Sequence, residues 1–467
     1  MVNDQVVHSD SNLKLCRSLL ILALPILIIN VEYSGIAVVI PTITISLKMS
    51  LAHANWIAMA YLLIFSAFLV TGGKLGDLYT AKRMMAVGLC LFAAGSFISG
   101  LAVTSWQMII GRGLQGLGAA IAFPNIMSVA YNIAPENRKG FVLGLLTGIT
   151  GLSMAIGPLL GGFLTSYSSW RLFFLINVPI SLLTIYAIFY YFPKAKLPHG
   201  RKPLDRYGIV LFSIFLISII YGLNTLKSGI QAIHLLGYSA IVMLVSLGLF
   251  IYNECKVSEP LMPWQHIKNT EVLVGCLIRA AINFGFYIVL FSIGLYLHFV
   301  MGLSAAVSGF VLFPMSLLMG IMSFLSGKLI DYCGVYVPTI TGVLLLVLCY
   351  IGFIFLPIQK HLIFIIGLLA CYGIGYTFIS PGLIKLTLNA VDESTRGFVS
   401  GMFYMMSVFG STVGMAITGI VLSRYQHLSE QQNLIQSFPK LMSICLSVAL
   451  FALIMLIARC KFSQKVS

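Results

Sequence analysis

Apolar residues fill long, continuous stretches of this chain, and polar residues are gathered in short segments between them. Each stretch is roughly 20 residues long, the length of an α-helix that crosses a bilayer core about 30 Å thick. The stretches lack the ten-residue alternation that is typical of a membrane β-barrel. The pattern predicts fourteen transmembrane helices, at 18–41, 54–76, 83–103, 105–130, 141–166, 171–192, 207–226, 232–252, 273–299, 306–329, 336–357, 361–382, 397–423 and 439–459.

The composition agrees with an all-α polytopic membrane protein. Hydrophobic residues make up 59% of the 467 residues, charged residues only 9%, and the mean hydropathy is +1.00. Soluble domains carry about 25% charged residues, so a soluble enzyme is disfavoured. The nine cysteines form no C-x-x-C pair and mostly lie in apolar runs, which argues against a disulfide framework or a zinc site. No metal or cofactor is expected.

Lysine and arginine are distributed unequally between the two sets of connecting segments. If the N-terminus is cytoplasmic, most of them lie on the cytoplasmic side, for example in 82–83 and 194–206. The positive-inside rule therefore predicts that both termini are cytoplasmic. The same bias explains the net charge of +15, so we expect the basic residues to contact anionic lipid headgroups rather than nucleic acid.

An internal repeat predicts the domain organisation. The sequence GKLGD at 73–77 recurs as GKLID at 327–331, and several residues of 124–162 recur in 381–419. Span 2 therefore corresponds to span 10 and span 4 to span 12, with a substrate path expected between the repeated units near the bilayer midplane. The simplest layout is two pseudo-symmetric six-helix bundles plus two inserted helices: an N-terminal bundle at 1–192, an insert with cytoplasmic flanks at 193–270, and a C-terminal bundle at 271–467.

Four motifs occur in order along the chain. Residues 73–83 read GKLGDLYTAKR, 112–118 read RGLQGLG, 148–162 end in GPLLGG, and 170–179 read WRLFFLINVP. They are similar to the loop motif G-x-L-x-D-x-x-G-R-K, the R-x-x-Q-G-x-G motif of helix 4, the antiporter motif of helix 5 and the signature W-R-x-x-F-x-x-N-x-P. The chain therefore resembles the major facilitator superfamily, in its fourteen-helix drug:proton antiporter branch of the multidrug efflux type. It departs from the loop motif at Thr80 and Ala81, where the family has glycine and arginine.

The resemblance implies that the loop motif forms a gate latch that stabilises one access state, through Gly73, Asp77, Lys82 and Arg83. Capping by the aspartate and orientation by the basic residues explain the same pattern without a latch.

The resemblance also implies that helix 5 separates antiport from uptake. Small residues permit close helix packing and a proline permits a kink, so a packing role is compatible with this one. The motif residues are Gly148, Gly157, Pro158, Gly161 and Gly162.

Three charged residues are embedded in the predicted spans: Glu32 in span 1, Arg112 in span 4 and Arg279 in span 9. A charge at the centre of a span costs about 2.5–3.5 kcal/mol on insertion scales, so each is a functional candidate. Glu32 and Arg112 both lie on the order of 10–13 Å from a span end, so they can meet on facing helices. Low dielectric favours a neutral carboxyl group, whereas a nearby arginine favours the carboxylate. We expect Glu32 to carry protons and Arg112 to tune it; the alternative is a static ion pair.

Further side chains are candidates for a substrate cavity. Arg279 and Asn283 are one turn apart in span 9 and fit either substrate binding or a packing hydrogen bond. Aromatic walls suit lipophilic or cationic compounds. The predicted lining consists of Asn30, Tyr33, Phe123, Arg279, Asn283, Tyr287 and Tyr404.

These features predict a proton-coupled antiporter that exports small amphipathic compounds or drugs by alternating access. No G-x-x-x-x-G-K-[ST] motif occurs, so the energy is expected from an ion gradient. Alternatives are a dedicated exporter of one metabolite, such as a siderophore or an amino acid, and a membrane sensor without transport. The expected partners are a small-molecule substrate, protons and the lipid bilayer, and we expect a monomer. The branch implies a bacterial inner membrane.

Overall fold

The structure is a computed structural model that describes residues 2–135, 139–192, 205–225, 233–257, 269–356, 361–391 and 396–466. Within these ranges every regular element is a helix and no β-strand occurs. The prediction of an all-helical chain is therefore confirmed. Several segments of the predicted insert 193–270 lie outside the described residues, as does the side chain of Asp77.

The first half of the chain forms α1 (Val2–Ser46), α2 (Leu51–Tyr79), α3 (Ala81–Gly100), α4 (Ser105–Ile133), α5 (Lys139–Tyr167), α6 (Trp170–Leu175) and α7 (Asn177–Tyr191). The remainder forms α8 (Arg206–Thr225), α9 (Ile233–Lys256), α10 (Thr270–Leu295), a π-helical turn (Tyr296–Val300), α11 (Ala305–Cys333), α12 (Tyr336–Ile354), α13 (Leu362–Asn389), α14 (Arg396–Ser423) and α15 (Glu430–Val466). Polar caps start several helices because a side-chain oxygen satisfies a free backbone N–H. Thr104 and Gln107 form such a capping box at the start of α4.

Thirteen segments of the described chain are long and apolar enough to cross a membrane. The chain is thus a multi-pass membrane protein. The remaining predicted span, 207–226, coincides with α8 (Arg206–Thr225), whose described apolar stretch Arg206–Ile219 is short for a crossing. The count of fourteen stays a prediction.

One predicted span contains a local irregularity. Trp170–Tyr191 is one apolar segment long enough to cross a membrane, in agreement with the predicted span 171–192. Within it α6 ends at Leu175 and α7 begins at Asn177, but Ile176 between them keeps helical dihedral angles and its N–H donates to the Leu172 carbonyl at 3.0 Å. Pro179 has no backbone N–H to donate to Leu175, which accounts for one missing hydrogen bond at this point.

We call α1–α7 the N-terminal half and α10–α15 the C-terminal half. In the first, α4 packs on α2 and α3, and α1 packs on α5; in the second, α10 packs on α14, and α13 packs on α11 and α12. α8 and α9 pack on each other, and α8 touches α2 and α14. Between the halves, α5 contacts α11, α2 contacts α14 and α1 contacts α10. These three contacts form a seam that runs between the halves.

Two polar contacts of the seam lie toward the side where α1 ends and α2 begins. Asn55 Nδ2 donates to the Met415 carbonyl at 2.7 Å. The Ala306 backbone N–H donates to Ser166 Oγ at 2.9 Å, at the junction of α5 and α11. The halves are therefore closed against each other on this side.

On the opposite side, α5 and α11 lie further apart. A Cβ on Gly151 of α5 would lie 3.9 Å from the Gly320 Cα of α11. Further toward that side, Gly148 and Gly327 have no atom within 4 Å of the place where a Cβ would lie. Among the described residues, the seam between α5 and α11 thus opens toward the helix ends that lie opposite the closed side.

Candidate functional site

A fully buried carboxylate lies at the centre of the N-terminal half. Glu32 on α1 is 0% exposed and accepts hydrogen bonds from three side chains. Arg112 Nη1 donates to Oε2 at 3.0 Å, Gln115 Nε2 to Oε1 at 3.1 Å, and Asn177 Nδ2 to Oε1 at 2.8 Å. The structure thus brings Glu32 and Arg112 together, as their estimated depths predict.

Three helices position these donors. Arg112 and Gln115 are three residues apart on α4, so both project from the same helix face. Their side chains also bind each other, through Arg112 Nη1 and Gln115 Oε1 at 2.9 Å. Asn177, in the first turn of α7, faces α1 and donates to Glu32 from there. Ser96 on α3 holds Gln115 Nε2 at 2.7 Å.

The guanidinium group of Arg112 is also enclosed. Its Nε donates to the Ile57 carbonyl at 2.9 Å, and its Cζ lies 4.5 Å from the centroid of the Tyr61 ring. In the described part of the chain its Nη2 is buried without a hydrogen-bond partner. Two buried opposite charges are tolerated only with good geometry and additional hydrogen bonds, and this cluster supplies both. In this conformation Glu32 has no access to solvent.

Sequence reasoning missed Gln115 and Asn177 as ligands of the acid. Each lies inside a recognised motif, RGLQGLG at 112–118 and WRLFFLINVP at 170–179. The signal was that both motifs contain a polar side chain within an apolar span, where an unsatisfied polar group is costly. Three separately recognised features therefore converge on one carboxylate.

The predicted cavity residues form a second group at the seam. Tyr33 lies one residue after Glu32, and its hydroxyl group is 3.0 Å from Ser411 Oγ of α14. Tyr287 Oη of α10 donates to the Tyr33 carbonyl at 2.7 Å, and the two rings meet edge to face with centroids 4.9 Å apart. Phe123 of α4 contacts Tyr404 of α14 with centroids 6.3 Å apart. These four predicted residues join the two halves.

Asn283 and Arg279 extend this group into the C-terminal half. Asn283 Oδ1 accepts from Tyr376 Oη at 3.0 Å, and its carbonyl accepts from Ser411 Oγ at 3.4 Å. Arg279 is 8% exposed and donates to Ser380 Oγ. Asn30, in contrast, donates to the Ile26 carbonyl of its own helix at 2.7 Å and makes no recorded side-chain contact with the seam group.

The loop-motif residues are in contact with the N-terminal half. Lys82 is buried, and its Nζ donates to the Phe192 carbonyl at the end of α7. Arg83 is exposed. A Cβ on Gly73 would lie 3.8 Å from Pro124 Cβ of α4. These contacts tie α2, α3, α4 and α7 together at one end of the half.

Thr80 connects α2 and α3 with a left-handed backbone, φ 78° and ψ 131°. A β-branched residue rarely adopts positive φ, whereas glycine does so freely. Glycine is the residue that the family's loop motif has at this position. The departure from the motif therefore falls on the one residue of the loop whose backbone favours glycine.

The antiporter-motif residues divide between two neighbours of α5. Gly157 and Gly161 face α1, where a Cβ would lie 2.8 Å from the Val31 carbonyl oxygen and 3.0 Å from the Gly35 carbonyl oxygen, respectively. Pro158 and Gly162 face the start of α11 in the other half. Gly148 faces open space at the separated end of the seam.

Comparison with known proteins agrees with these features. Residues 22–415 match the family model described as Major Facilitator Superfamily. The tetracenomycin C resistance and export protein of Streptomyces glaucescens is 28% identical over 407 residues, which cover 87% of this chain and 76% of that protein. The riboflavin transporter RibZ of Clostridioides difficile is 26% identical over 381 residues, which cover 81% and 82%.

The fold is also found in solved structures. A bacterial homolog of the human lysosomal transporter Spinster, in an inward-facing and unoccupied conformation, matches with a TM-score of 0.68 at 14% sequence identity. The match covers 97% of this chain and 98% of that chain. The chain therefore belongs to the major facilitator superfamily, and it is a membrane transporter rather than an enzyme.

Proposed function

We propose that this transporter is a proton-coupled antiporter that exports small amphipathic compounds by alternating access. The observation that carries the proposal is the set of three donors around the buried Glu32. The donors stabilise the carboxylate, while burial in low dielectric favours the neutral acid. Because these effects oppose each other, a conformational change that alters either one can decide whether Glu32 holds a proton. Arg112 tunes this balance because it is the one charged donor of the three.

The proposed architecture is two six-helix bundles, 1–192 and 271–467, with two inserted helices in 193–270. Packing within α1–α7 and within α10–α15 supports it, as does the pairing of α8 with α9. A seam that is closed on one side and separated on the other fits alternating access between such bundles. With the cytoplasmic termini that the basic residues predict, the open side faces the cytoplasm.

The proposed gate residues act at two places. The first is the proposed latch of Gly73, Asp77, Lys82 and Arg83, which the Lys82 contact with the end of α7 supports. The second is the contact of α5 with α11, where Gly162 approaches Ala305 and Gly309 approaches the Pro158 carbonyl, so closure on the outer side depends on these two glycines. We propose that the protein acts as a monomer in a bacterial inner membrane, in line with the bacterial relatives.

A dedicated transporter of one compound is the second candidate. The relatives named above include one protein that exports a single named antibiotic and one that transports a single vitamin. The same machinery serves this function, and only the breadth of the substrate range differs. Flux measured with a panel of unrelated compounds separates the two.

The test uses everted membrane vesicles with an acidified lumen and a fluorescent pH probe. Transported compounds should dissipate the gradient in wild-type vesicles and leave it intact with Glu32→Gln. Glu271→Gln is the matched control, because Glu271 is paired with Arg459 at the start of α10 and is 25% exposed. Extraction yield and thermal unfolding in detergent establish that each variant is folded. Wild-type coupling with Glu32→Gln would mean that the Glu32–Arg112 pair is only structural.

A further inference from the structure

A second buried arginine lies in the C-terminal half, and no carboxylate of the described residues pairs with it. Arg279 is nine residues into α10, about 13 Å along the helix axis. Its Nη1 donates to Ser380 Oγ, and its Cζ lies 5.6 Å from the Tyr376 ring centroid and 5.3 Å from that of Phe403. Its Nε is buried and has no hydrogen-bond partner among the residues described.

Comparison with Arg112 shows which contacts Arg279 lacks among the described residues. Arg112 is 0% exposed, forms an ion pair with Glu32 and uses its Nε to bind a backbone carbonyl. Arg279 is 8% exposed, and in the described ranges no carboxylate forms an ion pair with it. A buried charge without a partner is strongly unfavourable, and in membrane segments such residues mark ligand pathways. Aromatic rings and a hydroxyl group offset only part of this cost.

The position of Arg279 connects it to the seam. Asn283, one turn further along α10, binds Ser411, and the Ser411 hydroxyl bonds to Tyr33 of the other half. Phe403 also precedes Tyr404, which contacts Phe123 across the seam. The guanidinium group is therefore next to the aromatic side chains that join the two halves, on the path proposed for the substrate.

We propose that Arg279 binds an anionic oxygen of the transported compound, so that the substrates are amphipathic organic anions. A carboxylate, phosphate or phenolate group fits the guanidinium donors, which match planar anionic groups. The Tyr376 and Phe403 rings then contact the apolar body of the compound. This inference rests on the proposed transport function and specifies its substrate class.

The test compares two dyes that share a xanthene ring and differ in charge, anionic fluorescein and cationic rhodamine 123. Binding is measured by fluorescence anisotropy with the full-length protein in detergent, without a proton gradient. Wild-type protein should bind fluorescein more tightly than rhodamine 123. Arg279→Met should weaken fluorescein binding by roughly 30-fold or more, as expected for loss of a buried charge pair. Rhodamine 123 binding should change by less than about twofold.

Two further variants separate recognition from folding. Arg279→Lys keeps the charge and should retain part of the fluorescein affinity, because a lysine binds the anion with fewer aligned donors. Arg424→Met removes an exposed arginine after the end of α14 and should leave both affinities unchanged. Fluorescein should also raise the thermal unfolding temperature of wild type but not of Arg279→Met.

Three results would overturn the inference: no saturable binding of fluorescein by wild type, tighter binding of rhodamine 123, or an equal loss of both dyes in Arg279→Met. The last result would mean that Arg279 only supports packing. Binding at equilibrium does not depend on proton coupling, so a negative vesicle test with Glu32→Gln leaves the dye result standing. Conversely, a failed dye test leaves the coupling test valid.

Discussion

Asn177→Leu should shift the pH dependence of transport to higher pH. Asn177 donates a 2.8 Å hydrogen bond to Glu32, the shortest of the three, and leucine fills a similar volume without a donor. A hydrogen bond to a charged group contributes about 1.5–3 kcal/mol, and about 1.4 kcal/mol corresponds to one unit of a titration midpoint. Only the carboxylate loses this stabilisation, so the proton is released at higher pH. We expect the midpoint of the transport–pH profile to rise by about 1–2 units.

The assay is dye efflux from vesicles over a series of external pH values at constant pH difference. Ser181→Ala is the matched control. Ser181 lies one turn after Asn177 on α7, is 0% exposed, and its hydroxyl group has no hydrogen-bond partner in the part of the chain that the structure describes. Its removal should leave the midpoint unchanged. A midpoint that stays fixed in Asn177→Leu, or falls, would refute the assignment of Glu32 as the group that titrates during transport.

Three further predictions concern stability and closure. Lys82→Met should lower the free energy of unfolding by about 1.5–3 kcal/mol in a denaturant titration, since a charged donor to the end of α7 is lost. Arg83→Met should change the free energy of unfolding by less than about 0.5 kcal/mol. Equal losses in the two variants would contradict the contact of Lys82 with the end of α7. Gly162→Ala should slow transport about tenfold, because the added Cβ meets the α11 backbone. Gly148→Ala should not slow it, because Gly148 faces open space. Equal rates in the two variants would argue against closure at the contact of α5 with α11. Thr80→Gly should raise stability by about 1 kcal/mol, because relief of backbone strain outweighs the lost cap, and a loss would show that its φ is not strained.

The bilayer explains why much of the fold was predictable. Backbone polar groups must be satisfied within each span, so long apolar stretches had to be helices. The bilayer also made the contact between Glu32 and Arg112 predictable, because an isolated charge at that depth is too costly. The motifs then placed the chain in its family without any structural information.

Other features depend on helix rotation and crossing, which hydropathy does not encode. The sequence places Asn177 within an apolar span, but only packing shows that its side chain points at Glu32. Asn30 and Tyr33 are close neighbours on α1, yet one binds its own helix and the other binds the opposite half. The absence of an ion pair for Arg279 within the described residues likewise became visible only once the surrounding helices were in place.

The two arginines together determine which energy source drives export. Glu32 and Arg112 are neutral as a pair, and the pair gains one positive charge on protonation. Arg279 and a bound monoanion together carry no net charge. Exchange of one inward proton for one outward monoanion therefore moves two charges in the same electrical sense. At about 2.3 kcal/mol per charge per 100 mV, the potential supplies about 4.6 kcal/mol per cycle at 100 mV. A monocation exchanged for one proton moves no net charge and depends on the pH gradient alone. If both proposals hold, a potassium–valinomycin clamp at zero potential slows fluorescein export even when the pH difference is kept.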